Sequence, residues 1–346
     1  SFAAGYPKQG SIAFFSQSGA LCTAILDWAL GEEVGFSKFV SMGNMAVVNE
    51  ANMLEYLRTD PNTKVILGYI ENVSNGADFI EQAAKVCREK PVIMIKSGTT
   101  AAGAKAASSH TGAIAGSDAA YTAAFRKTGV IRAGDMATLF DLALAFSTQP
   151  LPEGPGLCVV TNAGGPGILA ADATEKSPLL HMARLSNSTI ERLKEFLPPY
   201  ASLYNPIDVV GDAPAERYRK TLEVVIDDPQ VNSILVLLTP TASAQIVETA
   251  EAIIDIAKLT KKPIFVNYMG GMRIEPGVRM LGDAGIPCSI YPEPLIRSIE
   301  TMYHYNLWRQ TPAQEYPDIR RNRQKARLVI NEARAKGATE VVEFQA

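Results

Sequence analysis

An internal duplication is the feature that most constrains how this chain can fold. Three segments of the first half recur in the second half in the same order: FFSQSGA at 14–20 with VVTNAGG at 159–165, TDPNTKVIL at 59–67 with DDPQVNSIL at 227–235, and KPVIM at 90–94 with KPIFV at 262–266. The spacing grows by about 23 residues between the first two anchors, which indicates an insertion in the second copy. The two halves should therefore build the same sheet and differ in their loops.

Short apolar runs alternate with helical patterns in the first copy. Strands are predicted at 11–15, 37–42, 64–71 and 92–96, helices at 19–30, 49–58 and 78–89, and two further helices around a short strand at Val130. Such alternation predicts a doubly wound parallel sheet with binding loops at the carboxyl ends of its strands. A segment rich in Pro and Gly, from Gln149 to Gly156, separates the copies. The predicted domains are 1–148 and 149–308, followed at 309–346 by a linker and a charged amphipathic helix over 320–337.

The composition excludes several classes of protein. The 346 residues carry a net charge of −3, and no basic stripe precedes the C-terminal end, which argues against a nucleic-acid partner. No apolar run approaches the roughly 20 residues that span a bilayer, and no signal-peptide pattern opens the chain, so a cytoplasmic protein is expected. The four cysteines are far apart and outside any CxxC pair, so neither a metal site nor a disulfide framework is predicted.

A long segment of small residues follows the predicted strand at 92–96. About 20 residues of Gly, Ala, Ser and Thr precede the next helical pattern near Gly116, and loops of this length are usually functional. His110 stands in the middle of this predicted loop. The second copy returns to helix soon after Asn267, but it has an extra segment at 197–213 that contains Asn205 and Asp208.

Both copies place a short glycine-bearing turn between the first strand and the first helix. The turns are SQSG at 16–19 and TNAGG at 161–165. Because a helix N-terminus offers free backbone N–H groups and a partial positive charge, each turn is a candidate phosphate cradle. A histidine that accepts a phosphoryl group needs a carboxylate to orient its ring. Glu71, at the end of the strand VILGYIE, should face the same edge of the sheet.

Several motifs resemble the NDP-forming acyl-CoA synthetases of the succinyl-CoA synthetase superfamily. SSHTGAIAGSD at 108–118 is similar to their active-site histidine loop, GYIENV around Glu71 to a glycine- and glutamate-bearing segment, and FFSQSGALCTAILDW at 14–28 to their phosphate-binding helix. VVTNAGGPGILAAD at 159–172 and YNPIDVVGDA at 204–213 resemble their second domain. The resemblance extends from about Ser1 to Tyr305. It implies two tandem flavodoxin-like, doubly wound α/β domains followed by a connector helix.

The same resemblance implies an acid–thiol ligase that works through a phosphohistidine. His110 would be the phosphorylated nucleophile and Glu71 its orienting base. Phosphate would be held by backbone amides at Ser18, Gly19, Gly164 and Gly165, with Asn205 and Asp208 in a loop near the site. The complete enzyme would use CoA, phosphate and ATP or ADP with Mg²⁺, act on a small carboxylic acid, and contain no tightly bound cofactor.

Family members also contain a CoA-binding domain and an ATP-grasp domain, and neither pattern is visible here. The chain is therefore expected to be a central fragment or a subunit that needs these partners, within an oligomer, and neither a nucleic acid nor a membrane is expected among its partners. Two alternatives stay open. One is a non-catalytic acyl-CoA-sensing module of a protein acetyltransferase, which a missing histidine would favour, whereas His110 is present. The other is a flavodoxin-like binding protein, for which no flavin-binding loop stands out.

Overall fold

The computed structural model describes residues 5, 7–31, 34–43, 45, 47–111, 117–312 and 323–338, and the side chains of 107–111 and 323 lie outside this description. The chain divides into two units, Ser1–Gln310 and Thr311–Ala346. The first unit contains both copies of the duplication.

The first copy forms a parallel sheet of five strands in the order β2-β1-β3-β4-β5. The strands are β1 Gln9–Ser16, β2 Phe36–Ser41, β3 Val65–Ile70, β4 Val92–Lys96 and β5 Ile131–Arg132. Six helices connect and cover them: α1 Gly19–Gly31, α2 Glu50–Thr59, α3 Gly76–Glu89, α4 Ala101–Thr111, α5 Asp118–Thr128 and α6 Met136–Thr148. This strand order is that of flavodoxin-like proteins.

The second copy forms another parallel sheet, in the order β11-β10-β9-β6-β7. Its strands are β6 Gly156–Thr161, β7 His181–Met182, β8 Ile207–Asp208, β9 Ser233–Leu238, β10 Ile264–Tyr268 and β11 Cys288–Ser289, of which β8 pairs with β6 outside the main order. Its helices are α7 Gly164–Glu175, α8 Asn187–Lys194, α9 Ala215–Val225, α10 Ile246–Ala257, α11 Glu275–Asp283 and α12 Pro292–Gln310.

The structure confirms the duplication strand by strand. The alignment pairs Val65 with Ser233 and Val92 with Ile264, and these four residues are the first residues of β3, β9, β4 and β10. The two sheets have the same strand order when the second is matched to the first, with β7, β6, β9, β10 and β11 equivalent to β2, β1, β3, β4 and β5. The predicted pair of doubly wound parallel sheets is thus confirmed.

The two copies differ where the sequence predicts. Between β7 and β9 the second copy has 50 residues, including α8 and β8, whereas 23 residues separate β2 from β3. Between β4 and β5 the first copy has 34 residues, whereas 19 separate β10 from β11. The extra segment of the first copy contains His110.

The prediction of a long structureless loop around His110 was wrong. Residues Ala101–Thr111 form helix α4, and the Thr100 hydroxyl accepts a hydrogen bond from the Gly103 N–H (3.1 Å) at its start. Small residues indicated a loop, but five of these eleven residues are alanine, which has the highest helix propensity because it loses no side-chain entropy.

The two sheets share one hydrophobic core. Leu67 and Ile93 of the first sheet and Leu235 and Phe265 of the second are fully buried in the same cluster. Helices α6 and α12 meet in this cluster, where the rings of Phe146 and Tyr305 are 5.4 Å apart and nearly perpendicular. The two copies therefore form one compact body with their carboxyl-end loops at the surface.

The second unit contains helix α13, Arg323–Ala335, with an almost entirely exposed surface. This helix confirms the predicted charged helix near 320–337. Over the described residues, no helix has the length and apolar character that crossing a bilayer requires.

Candidate active site

The turn between β1 and α1 is built by side-chain hydrogen bonds to the backbone. The buried Ser16 hydroxyl accepts a hydrogen bond from the Ser18 N–H and donates one to the Ser18 carbonyl, both at 3.0 Å. The Ser18 hydroxyl in turn accepts from the Leu21 N–H at 3.3 Å. Gly19 and Ala20 begin the helix in exposed positions, so a ligand can approach their backbone closely.

The turn between β6 and α7 repeats this construction. The buried Thr161 hydroxyl accepts from the Ala163 N–H (3.0 Å) and donates to the Ala163 carbonyl (2.9 Å). Ala163 is the N-cap of α7 and makes no side-chain cap bond, and the next two residues, Gly164 and Gly165, are exposed. Both turns present the start of a helix to solvent, as binding of an anion requires.

A carboxamide follows the first strand of each copy, and the sequence analysis missed it. The Gln17 Oε1 atom accepts hydrogen bonds from the N–H groups of Glu71 (2.7 Å) and Asn72 (3.1 Å), while its Nε2 donates to the Asn72 carbonyl (2.8 Å). Asn162 makes the same bridge in the second copy, to the carbonyl (2.9 Å) and N–H (2.8 Å) of Thr239. The alignment of the two copies pairs Gln17 with Asn162, and this pairing was the sequence signal that could have identified both residues.

The Gln17 bridge places Glu71 beside the first turn. Glu71 directly follows β3 and is partly buried, and its backbone bonds to the residue that precedes Ser18. The following segment is held from the other side, because the Tyr121 hydroxyl accepts a hydrogen bond from the Val73 N–H at 3.1 Å. The predicted carboxylate and the predicted cradle thus lie at one edge of the first sheet.

The start of α5 is fixed by an ion pair. The Arg132 guanidinium donates to both carboxylate oxygens of Asp118, at 2.5 and 3.3 Å, and to the Thr122 hydroxyl at 2.6 Å. The Arg132 hydrogen bonds lower the pKa of Asp118. Asp118 closes the SSHTGAIAGSD motif, so one end of that motif is anchored at β5.

The structure separates the roles of Asn205 and Asp208. The Asn205 Oδ1 atom accepts from the Val159 N–H (2.9 Å), and its Nδ2 donates to the carbonyls of Leu157 (2.7 Å) and Ala183 (3.1 Å). Asn205 therefore bonds to the middle of β6 and to the segment that follows β7. Asp208 lies near the second turn, since a Cβ atom on Gly164 would be 3.7 Å from its Oδ2.

Helix α4 includes His110, but the side chain of this residue lies outside the described residues. Within the described part of the chain, no hydrogen bond or ion pair joins the two turns. The structure thus shows two similar turns, with the backbone of Glu71 bonded beside the first of them. In the same part, no group of three His, Cys, Asp or Glu side chains could hold a metal ion.

Comparison with known proteins finds close relatives among ADP-forming ligases. The chain is 41% identical over 325 residues to acetate–CoA ligase (ADP-forming) I of Archaeoglobus fulgidus, covering 94% of this chain and 46% of that protein. It is 37% identical over 333 residues to 4-hydroxybutyrate–CoA ligase (ADP-forming) of Nitrosopumilus maritimus, covering 95% and 47%. The chain thus spans about half the length of these curated relatives.

A solved structure shows the same fold. Acetyl-coenzyme A synthetase 1 of Candidatus Korarchaeum cryptofilum, determined in complex with phosphate and ADP, is 36% identical to this chain and matches it with a TM-score of 0.85. The match covers 89% of this chain and 67% of that one.

Family models match both copies of the duplication. The succinyl-CoA ligase-like flavodoxin domain matches residues 9–146, and the ligase-CoA domain matches residues 157–306. These two domains in tandem place the chain in the CoA-ligase class. Within that class, the chain belongs to the NDP-forming acyl-CoA synthetases of the succinyl-CoA synthetase superfamily, as the motif resemblance predicted.

Proposed function

We propose that the whole protein is an ADP-forming acyl-CoA synthetase and that this chain carries its phosphohistidine. In the first step phosphate displaces CoA from acyl-CoA, which yields an acyl phosphate. His110 then attacks phosphorus, the P–O bond to the acyl group breaks, and the carboxylic acid leaves. Finally ADP takes the phosphoryl group from the histidine, which regenerates His110 and forms ATP. The reverse sequence makes acyl-CoA from ATP, a carboxylic acid and CoA.

The predicted site residues other than Asn205 are assigned as follows, since the Asn205 amide is already bonded to the backbone of β6. The amides at Gly19, Gly164 and Gly165 stabilise the phosphoryl oxygens, because a helix N-terminus favours negative charge. The Ser18 amide, predicted as a fourth donor, is already occupied, since its N–H donates to the Ser16 hydroxyl at 3.0 Å. Glu71 accepts a hydrogen bond from one ring nitrogen of His110 and so leaves the other nitrogen free to attack. Asp208, beside Gly164, limits how an anion enters the second cradle.

The observation that carries this proposal is the repeated turn. The same hydrogen-bonded turn is formed by Ser16 with Ser18 and by Thr161 with Ala163. Beside each turn, a carboxamide bonds to the backbone that follows β3 in the first copy and β9 in the second. A duplicated chain that keeps two such cradles fits a reaction in which a phosphoryl group meets two helix N-termini.

The proposal includes partners that this chain does not contain. CoA and the nucleotide would be bound by other domains or subunits, and Mg²⁺ would accompany ATP or ADP; we place the enzyme in the cytoplasm, as an oligomer. Two relatives from Pyrococcus furiosus are named as alpha subunits of ADP-forming acetate–CoA ligases, which supports a division of the enzyme between parts. The relatives named above are all ligases, so nothing favours the regulatory alternative.

Phosphorylation of the whole protein by ATP tests this function. Incubation with Mg²⁺ and ATP labelled at the γ-phosphate should leave one label per chain, labile in acid and stable in alkali, on the peptide that contains His110. CoA plus a carboxylic acid should then discharge the label. A protein that stays unlabelled, or that carries acid-stable label, would overturn the proposal.

Charge at the second cradle should control the reaction. Gly165→Asp is expected to slow phosphoryl transfer by about 100-fold or more, because like charges about 4 Å apart repel by about 4 kcal/mol at an effective dielectric constant of about 20. The side chain has room, since no atom of the residues that the structure describes lies within 4 Å of a Cβ placed on Gly165, apart from its chain neighbours and the backbone of its own helix. Steady-state kinetics of the whole protein measure the loss.

Two controls accompany this variant. Gly165→Asn adds the same volume without charge and should keep at least a tenth of the wild-type rate. Gly282→Asp adds the same charge at an equally open position, near the end of α11, and should leave the rate unchanged. Equal rates for Gly165→Asp and Gly165→Asn would rule out an anion at this cradle.

A further inference from the structure

A buried lysine stands at the end of the strand that leads to the histidine segment. Lys96, the last residue of β4, is 5% exposed. Its ammonium group lies 4.6 Å from the centroid of the Tyr121 ring and donates a hydrogen bond to the Ser97 carbonyl. An ammonium group removed from water is costly unless opposite charges or strong hydrogen-bond partners surround it.

The charges that face Lys96 come from three elements. Asp118 at the start of α5 and Glu71 after β3 attract the ammonium group, while the Arg132 guanidinium of β5 opposes it. Burial lowers the pKa of Lys96, and the two carboxylates act in the opposite direction. Strand pairing places Lys96 next to the segment that carries Glu71, because Ile70, the residue before Glu71, lies opposite Lys96 in the β3–β4 ladder.

The second copy of the duplication shows that the fold does not require this charge. The last residue of β10 is Tyr268, which is fully buried and donates its hydroxyl to the Ile246 carbonyl at 3.2 Å. The residue after β9, equivalent to Glu71, is Thr239. The same sheet is therefore built with Tyr and Thr at the two positions that hold Lys and Glu in the first copy. Both charges occur only in the copy that carries the histidine segment.

We propose that Lys96 is a positioning residue for Glu71, which holds the Glu71 carboxylate in the orientation that His110 needs. The inference rests on the proposed function and extends it to a residue that does not touch the reacting phosphorus. Burial fixes the Lys96 stem, and the Tyr121 ring and the Ser97 carbonyl fix its ammonium group. The Tyr121 hydroxyl in turn accepts a hydrogen bond from the Val73 N–H, two residues after Glu71, so Lys96 supports the segment that carries the Glu71 carboxylate.

A double-mutant cycle in the whole protein tests the inference. Lys96→Met keeps the length of the side chain and removes its charge, and it should slow phosphorylation of His110 by ATP about 10- to 100-fold without changing the KM for ATP. The double variant Lys96→Met with Glu71→Gln should be no more than about threefold slower than Glu71→Gln alone. Lys96→Arg, which retains the charge, should recover at least part of the rate.

Lys90→Met is the matched control. Lys90 lies just before the other end of the same strand, and its ammonium donates to the carbonyls of Leu57 (2.8 Å) and Asp60 (2.7 Å). This variant should lower the free energy of unfolding, as Lys96→Met also should, but leave the phosphorylation rate at the wild-type value.

Two results would overturn the positioning role while leaving the proposed function standing. One is multiplicative loss in the double variant, which would show that Lys96 acts independently of Glu71. The other is a Lys96→Met protein, folded by circular dichroism, that is phosphorylated at the wild-type rate. Absence of label on wild-type His110 would overturn both proposals together.

Discussion

Replacement of His110 by Asn is expected to abolish the phosphoenzyme and to lower turnover by more than about 1,000-fold. An amide nitrogen has its lone pair delocalised into the carbonyl group and cannot attack phosphorus, whereas an imidazole nitrogen can. Asn is close to His in size and polarity, so helix α4 should persist. The measurements are the amount of acid-labile label after incubation with ATP and the rate of acyl-CoA formation.

The other two histidines serve as controls for His110. His181 on β7 and His304 on α12 are both exposed, so their replacement by Asn should disturb neither the fold nor the label. Label on His110→Asn at the wild-type level would contradict the relay. Loss of label in His304→Asn alone would move the phosphorylated residue to α12.

The sheets of this protein were predictable from sequence because they are parallel and buried on both faces. Such strands appear as continuous apolar runs, and β3, β4, β9 and β10 each have this form. The duplication strengthened the prediction, since each strand could be checked against its copy. The alignment pairs Val65 with Ser233 and Val92 with Ile264, and each of these residues is the first residue of its strand.

Local pattern failed where a residue's partner is distant in the chain or where two signals conflict. Gln17 reaches Glu71 and Asn72 across two strands, and nothing in SQSG indicates such a bridge. Asn205 was expected near the site because its motif matches the family, yet its amide completes the backbone bonding of β6. In α4, alanine propensity and the abundance of small residues gave opposite indications, and propensity was correct.

Lys96 illustrates the part of a site that only three-dimensional structure reveals. At the end of the apolar run VIMIK it resembles an ordinary charged residue that terminates a strand. The structure places it against the Tyr121 ring and opposite Ile70, the residue before Glu71. The second copy, with Tyr268 at this position, supports the positioning role proposed for Lys96.

Replacement of Glu71 by Gln is expected to slow phosphorylation of His110 by about 100- to 10,000-fold, the range typical for loss of a positioned acid–base group. Gln retains the size and hydrogen-bonding capacity of Glu but cannot stabilise positive charge on an imidazole ring. The backbone of residue 71 is held by Gln17, so the segment after β3 should keep its conformation. Rapid-quench measurement of the labelled protein gives the rate.

A structural carboxylate of the same sheet provides the control that separates chemistry from stability. Asp60 accepts hydrogen bonds from Lys38 (3.1 Å) and the Thr63 hydroxyl (2.5 Å) before the start of β3. Asp60→Asn should therefore lower the free energy of unfolding by about 1–3 kcal/mol and leave the phosphorylation rate unchanged. Glu71→Gln should leave the free energy of unfolding unchanged and slow phosphorylation, because its carboxylate is at the functional edge of the sheet. A Glu71→Gln enzyme with wild-type phosphorylation and turnover would remove Glu71 from the mechanism. It would also contradict the positioning role proposed for Lys96.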